Sequence, residues 1–205
     1  MKVRTEGRRQ AILDIATRMF LEEGYATVTM ARVSITLGGS KSTLYGYFPS
    51  KEDLFIAVVE RIAGNYYRTL EALDLQRDDP RLLLIATGMN YLQLTLEPSV
   101  LAFYRMLMGE LPRFPEMGNI FFQTGPQRVV DRMETIFRHV AKTLRRPSIG
   151  TRKSVLHFKA LCDAWYHERV LWEINYVVTE RDMEEAAEAA VDFFLRAHNV
   201  GLKHG

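Results

Sequence analysis

The sequence predicts an all-α protein in which a small N-terminal three-helix head precedes a larger helical body. Three observations carry that expectation. Apolar residues recur at three- and four-residue spacing along most of the chain. No Asn-Gly or Asp-Gly hairpin and no sustained apolar/polar alternation occurs. A Gly38-Gly39 pair joins two short segments that each open on a hydroxyl residue, as a tight interhelical turn requires.

Taken in order, the first helix is expected over 7–23, with Ile12, Ile15, Ala16, Met19 and Phe20 on its core face and Gly24 as its stop. Thr29 caps a second helix whose inner face is Met30, Val33, Ser34 and Leu37. Ser40 caps a third that buries Leu44 and Phe48 and turns Lys41, Ser42, Thr43, Tyr45 and Tyr47 outward or sideways. Pro49 ends it, because the residue before proline leaves the helical region. Ser50 and Asp53 then read as a capping box opening a helix that runs towards residue 73 and links the head to the body.

In the body, Asp79-Pro80 starts a helix over 80–95 and Pro98 starts another that stops before Pro112. A short apolar segment at 117–122 is broken by Gly125-Pro126, and a strongly periodic helix comes next over 126–144. The segment 151–172 reads as one helix that is apolar almost all round. Thr179 and Asp182 open the last helix, whose stripe is Met183, Ala187, Ala190, Val191 and Phe194. A helix apolar on more than one face must bury more than one face, and a partner chain is an economical cover. The expected division is a head over 1–52 and a body over 53–205.

Composition narrows the function. With 205 residues, 47% hydrophobic and 25% charged, the chain has enough material for a core, and no run approaches eighteen apolar residues. A soluble cytoplasmic protein that does not enter a membrane is expected. A single cysteine, Cys162, excludes an intrachain disulfide framework. The five histidines are scattered, and no nucleophile elbow, phosphate-binding loop or dinucleotide fingerprint occurs, so neither an enzyme nor a cofactor or metal is expected.

Charge is distributed unevenly. The first 51 residues hold eight cations against four carboxylates in a chain whose total is +2, an asymmetry suited to a polyanion partner. A short helix that shows one lysine, three hydroxyls and two tyrosines without a carboxylate suits phosphate and base edges; an ordinary helical hairpin with a solvated polar face is the alternative. In the body, Tyr91, Phe103, Tyr104, Met108, Phe121, Phe122, Phe137, Phe158 and Trp165 form an aromatic and methionine-rich set. Such walls suit an apolar or aromatic small molecule, and plain core is the alternative.

Gly38, Ser40, Lys41, Thr43, Leu44, Tyr45, Tyr47, Phe48, Ser50, Lys51 and Leu54 fall where the TetR/AcrR family of bacterial transcriptional regulators has its signature, and the chain resembles that family. Ser34 and Leu37 stand where alanine is usual, and Gly39 where a valine packs under the turn, so a slightly looser turn is expected. Residues 101–116, Gly125-Pro126 and 190–195 are similar to the C-terminal domain of the AefR-like branch.

The resemblance implies a homodimer joined through the last two helices, a ligand cavity in each body, and two reading heads on a palindromic double-stranded operator. Lys41, Ser42 and Thr43 are then expected on bases, with Ser40 capping their helix. Thr29, Tyr45, Tyr47 and Lys51 are expected on phosphates, and Arg32 on either. Trp172, Met183, Ala187, Ala190, Val191 and Phe194 become the expected dimer interface. Repression relieved by a small-molecule effector is the expected outcome; an activator, a DNA-organising protein, a helical carrier or an enzyme are the alternatives.

Overall fold

The computed structural model describes residues 5–73, 75, 79–163, 166–173 and 175–200, the side chain of Asn65 excepted. Among the described residues there are eleven α-helices, a 3-10 turn at Pro147–Gly150 and no strand. The helices are α1 (Glu6–Thr27), α2 (Met30–Thr36), α3 (Lys41–Tyr47), α4 (Lys51–Glu71), α5 (Pro80–Thr95), α6 (Pro98–Glu110), α7 (Glu116–Thr124), α8 (Pro126–Thr143), α9 (Arg152–Asp163), α10 (Tyr166–Trp172) and α11 (Glu180–Ala197).

The expected caps form. The side chains of Thr29, Ser40, Asp79 and Thr179 each accept a backbone N–H of the first turn, and Thr179 and Asp182 make a full capping box. At α4 only half of the box forms: Asp53 donates its N–H to Ser50 Oγ at 2.9 Å, while the Asp53 carboxylate takes the Ser50 hydroxyl at 2.7 Å.

One boundary reaches beyond expectation. Gly24 interrupts α1 where expected, with non-helical backbone at φ 78° and ψ 160°, and a further turn beyond it runs on to Thr27. That turn is held from outside, because Ala26 donates its N–H to Glu110 Oε1 at 3.2 Å and Tyr25 is buried against Phe20 at 5.6 Å between ring centres. The helix expected over 151–172 is described as α9 and α10, helical on both sides of residues 164–165, which lie outside the described residues.

By packing, the chain divides into two compact units: residues up to 63 with 102–125, and 64–101 with those from 126 onward. The boundary expected at residue 52 marks the end of the motif. Packing tracks the core instead, and Phe103, Leu107 and Met117 are buried in one cluster with Phe20, Leu44, Phe55 and Val58. The ring of Phe55 lies 5.3 Å from that of Phe103. In the second unit α5, α8, α9 and α11 enclose a core centred on Phe137, Phe158 and Phe194, whose rings meet edge to face at 5.2–5.6 Å. No helix among the described residues is long and apolar enough to cross a membrane.

Candidate nucleic-acid interface

The site is built by α2, the turn and α3. The turn closes as a Schellman motif: Gly39 N–H reaches Ser34 O at 3.2 Å and Gly38 N–H reaches Ile35 O at 3.0 Å, with Gly38 at φ 65°. The looser turn expected from Gly39 is compensated. Ser34, buried where alanine is usual, donates its hydroxyl to the main-chain Gly39 O at 2.9 Å, a tie across the turn that alanine would lack. Arg8 donates to Leu37 O at 3.4 Å and braces the turn from α1.

Held this way, α3 buries Leu44 and turns its other side chains outward or sideways. Lys41, Ser42 and Tyr45 are exposed, and α3 carries no carboxylate. Ser40 Oγ lies 3.0 Å from Ser42 Oγ and 2.8 Å from Thr43 Oγ1, which gathers three hydroxyls at the front of the helix. Thr29 and Arg32 are exposed at the start of α2, where Arg32 is ion-paired with Glu23.

Two expected phosphate ligands have partners already. Tyr47 takes the Thr5 N–H on its phenol oxygen at 2.8 Å and donates to Thr5 O at 3.3 Å, tying the segment before α1 across α3. The Lys51 ammonium sits 4.0 Å from the centre of the Tyr25 ring. Burial pushes the Lys51 amine below its ordinary value, with Glu52 and Glu110 pulling the other way. Tyr25 donates to Glu52 Oε1 at 3.2 Å and meets Phe114 at 5.7 Å, so Lys51 rests on a side chain packed against the loop between α6 and α7.

The expected ligand wall divides. Phe103, Tyr104, Met108, Phe121 and Phe122 belong to the first unit, where Phe103 is buried and Met108 and Phe122 are exposed. Tyr91, Phe137 and Phe158 are fully buried in the second unit, and Trp165 lies outside the described residues. The Tyr91 phenol donates to the Asp163 carboxylate at 2.7 and 2.8 Å, and Lys159 pairs with Asp163 at 3.1 Å. One residue is missing from the set that the sequence singles out: Tyr66 on α4 is buried, and its phenol oxygen has no hydrogen-bond partner among the described residues. A tyrosine on the buried stripe of a helix shared by head and body was the signal for it.

The expected dimer face needs correction. Ala187, Ala190, Val191 and Phe194 are buried in the core of the chain itself, and Met183 packs against that core, because α11 covers α5 and α9 with its apolar stripe. Trp172 is exposed. On α9 and α11 the large apolar side chains left exposed are Leu156 and Phe193. Phe193, with Ala186, Ala189, Leu161, Tyr166 and Tyr176, lines a surface depression of about 550 Å³.

A three-helix head with a braced turn and a carboxylate-free third helix, together with a helical body, defines a helix-turn-helix DNA-binding protein with a separate helical domain. The chain belongs to the TetR family of bacterial transcriptional regulators. Residues 12–58 match the family model for bacterial regulatory proteins of the tetR family, and residues 83–200 match that for the AefR-like transcriptional repressor C-terminal domain.

Among curated relatives it is similar to the HTH-type transcriptional repressor AcnR of Corynebacterium diphtheriae, 41% identical over 57 residues, which are 28% of this chain and 30% of that protein. It is similar to the nucleoid occlusion factor SlmA of Pasteurella multocida, 29% identical over 40% of this chain and 51% of that one. The chain thus spans about half or less of the length of these relatives. Among solved structures, a TetR-family regulator from Mesorhizobium loti superposes with a TM-score of 0.77 at 20% identity, over 96% of this chain and 98% of that one. The flavonoid-responsive regulator FrrA superposes with a TM-score of 0.76 at 26% identity, over 94% and 97%.

Proposed function

We propose that this regulator is a homodimeric repressor that holds a palindromic operator and leaves it when a small, largely apolar or aromatic ligand enters the body. The observation that carries the reading is α3: one buried anchor, a lysine and a cluster of hydroxyls on the outer face, no carboxylate, and a turn fixed by Ser34 and Arg8. Lys41 and Ser42 reach bases. Thr29 and Tyr45 hold phosphates directly, and Lys51 does so from the start of α4, whose dipole favours an anion. Tyr47 serves chiefly by fixing the N-terminal segment.

The Tyr66 phenol, which has no hydrogen-bond partner among the described residues, supports an effector with a hydrogen-bond acceptor. An unsatisfied buried donor costs about 1–3 kcal/mol, which a ligand oxygen would recover. The flavonoid-responsive neighbour supports an aromatic effector. Residues of α4 and α6 belong to both units, so effector-driven displacement of these helices would be felt at Lys51 and Tyr25. Dimerisation uses the outer faces of α9 and α11, through Leu156 and Phe193. Repression is favoured over the DNA-organising role of the nucleoid occlusion relatives because the body matches a repressor domain over 83–200.

The test is selection of bound sequences from random duplex DNA, then titration of the winner at several salt concentrations. A palindromic motif bound by a dimer, with affinity falling steeply in salt, is the expected result. Failure to enrich any motif overturns the reading.

A further inference from the structure

From residue 135 to residue 162 the chain contains Arg138, Lys142, Arg145, Arg146, Arg152, Lys153 and Lys159 and no carboxylate. This stretch of the body therefore carries a larger cationic surplus than the reading head. Two of the seven are neutralised: Arg152 pairs with Asp131 and Glu134, and Lys159 with Asp163. The other five are exposed and make no ion pair among the described residues.

Ordinary helix capping accounts for only part of this. The negative end of the α8 dipole favours Lys142 and Arg145. Arg138 lies outside that last turn, and Lys153 stands in the first turn of α9, at the end where a cation is disfavoured. Arg145 occupies the left-handed position that closes α8, at φ 53°, with Arg146 N–H reaching Ala141 O at 2.9 Å. Glycine is the residue that such a position prefers, and here an arginine bears the backbone strain. Arg138 and Lys142, one turn apart on the same face, repel each other with nothing between them to offset it.

The two also share a depression of about 410 Å³ between α8 and the 3-10 turn, lined by Thr135, Arg138, His139, Lys142, Pro147 and Gly150. The Arg138 guanidinium donates to Thr135 Oγ1 at 3.4 Å, which orients it along α8. A planar fork, a point charge one turn away and a hydroxyl beside them are the donors a phosphate group takes. The volume suits a small molecule and not a duplex, which needs an extended track of cations.

We propose that this depression is a second ligand site, for a small phosphate-bearing polyanion, distinct from the DNA-reading face and from the apolar interior of the body. Arg138 grips the phosphate, Lys142 and Thr135 complete its contacts, and Arg145, Arg146 and Lys153 supply the attracting field.

The test uses the full-length protein with inorganic pyrophosphate as probe, in calorimetric titration and thermal melting against sodium chloride at equal ionic strength. Saturable binding and a rise in melting temperature beyond the salt control are expected, with affinity at least tenfold weaker in the Arg138→Gln, Lys142→Gln double variant. If that variant does not fold, Arg145→Gly decides: it relieves the left-handed backbone, so the fold persists, and pyrophosphate binding weakens severalfold. Unchanged affinity in the deciding variant, or no saturable binding to wild type, overturns the proposal. A random-sequence DNA duplex separates the two sources of phosphate. If duplex binding depends on Arg138 and Lys142 and survives excess pyrophosphate, the site belongs to nucleic acid and the small-ligand assignment falls.

Discussion

The α3 and α11 helices relate what they bury to what they offer in opposite ways. Seven-residue α3 is anchored by Leu44 and leaves its polar side chains outside, so its working face is whatever remains after one contact. The eighteen residues of α11 place Ala187, Ala190, Val191, Phe194 and Leu195 in the core of the chain that carries them. Only a fainter set, with Phe193 at its centre, is left exposed. An apolar stripe is claimed first by the chain that carries it, since intramolecular contact costs no association entropy.

The largest expected effect separates the two faces of α11. Phe194→Ala removes a ring from the Phe137–Phe158–Phe194 cluster and should cost about 3–5 kcal/mol in a denaturant titration. Phe193→Asp, one residue away, should leave the unfolding midpoint nearly unchanged while sedimentation shows monomers. A Phe194→Ala protein of full stability that fails only to dimerise would reverse the assignment of faces.

On the α3 side the effects are smaller. Lys41→Ala should lose about 1–3 kcal/mol of discrimination at one base pair in competition binding with altered operators. Lys51→Ala should weaken binding to all sequences and lower the salt slope by about one unit. If both variants bind as wild type does at every salt concentration, the docking face lies elsewhere. Ser34→Ala should lower stability by about 1 kcal/mol, because Gly39 O loses its donor; a melt identical to wild type would leave the turn's rigidity to Arg8 alone.

The smallest expected signal is a null one. Burial, with Asp163 adding to it, pushes the Cys162 thiol up to about 12. At pH 8 the folded protein should not react with a thiol reagent, and denaturation should release one reactive group. Fast labelling of folded protein would mean that the packing of α5, α9 and α11 opens readily.

Much of the head was legible because its rules are local. A hydroxyl before a helix, glycines at a reversal and a proline after Phe48 act within four or five residues, and Thr29, Ser40 and Ser50 cap as their spacing implies. The Arg8 brace and the Tyr47–Thr5 tie were not legible, since they join residues 29 and 42 positions apart. The Ser34–Gly39 bond was within reach, since a serine in place of alanine brings a donor five residues from a main-chain carbonyl at the turn.

The sequence by itself determined the helices, their caps, the absence of acid from α3 and the cationic run after Glu134, all of which depend on residue type and short spacing. Tertiary structure alone decided that residues 102–125 share a core with the head, that the aromatic set divides between two units, and which face of α11 is free. Each depends on which apolar surfaces meet first. Periodicity shows that a stripe must be buried; only the packing of the whole chain selects what covers it.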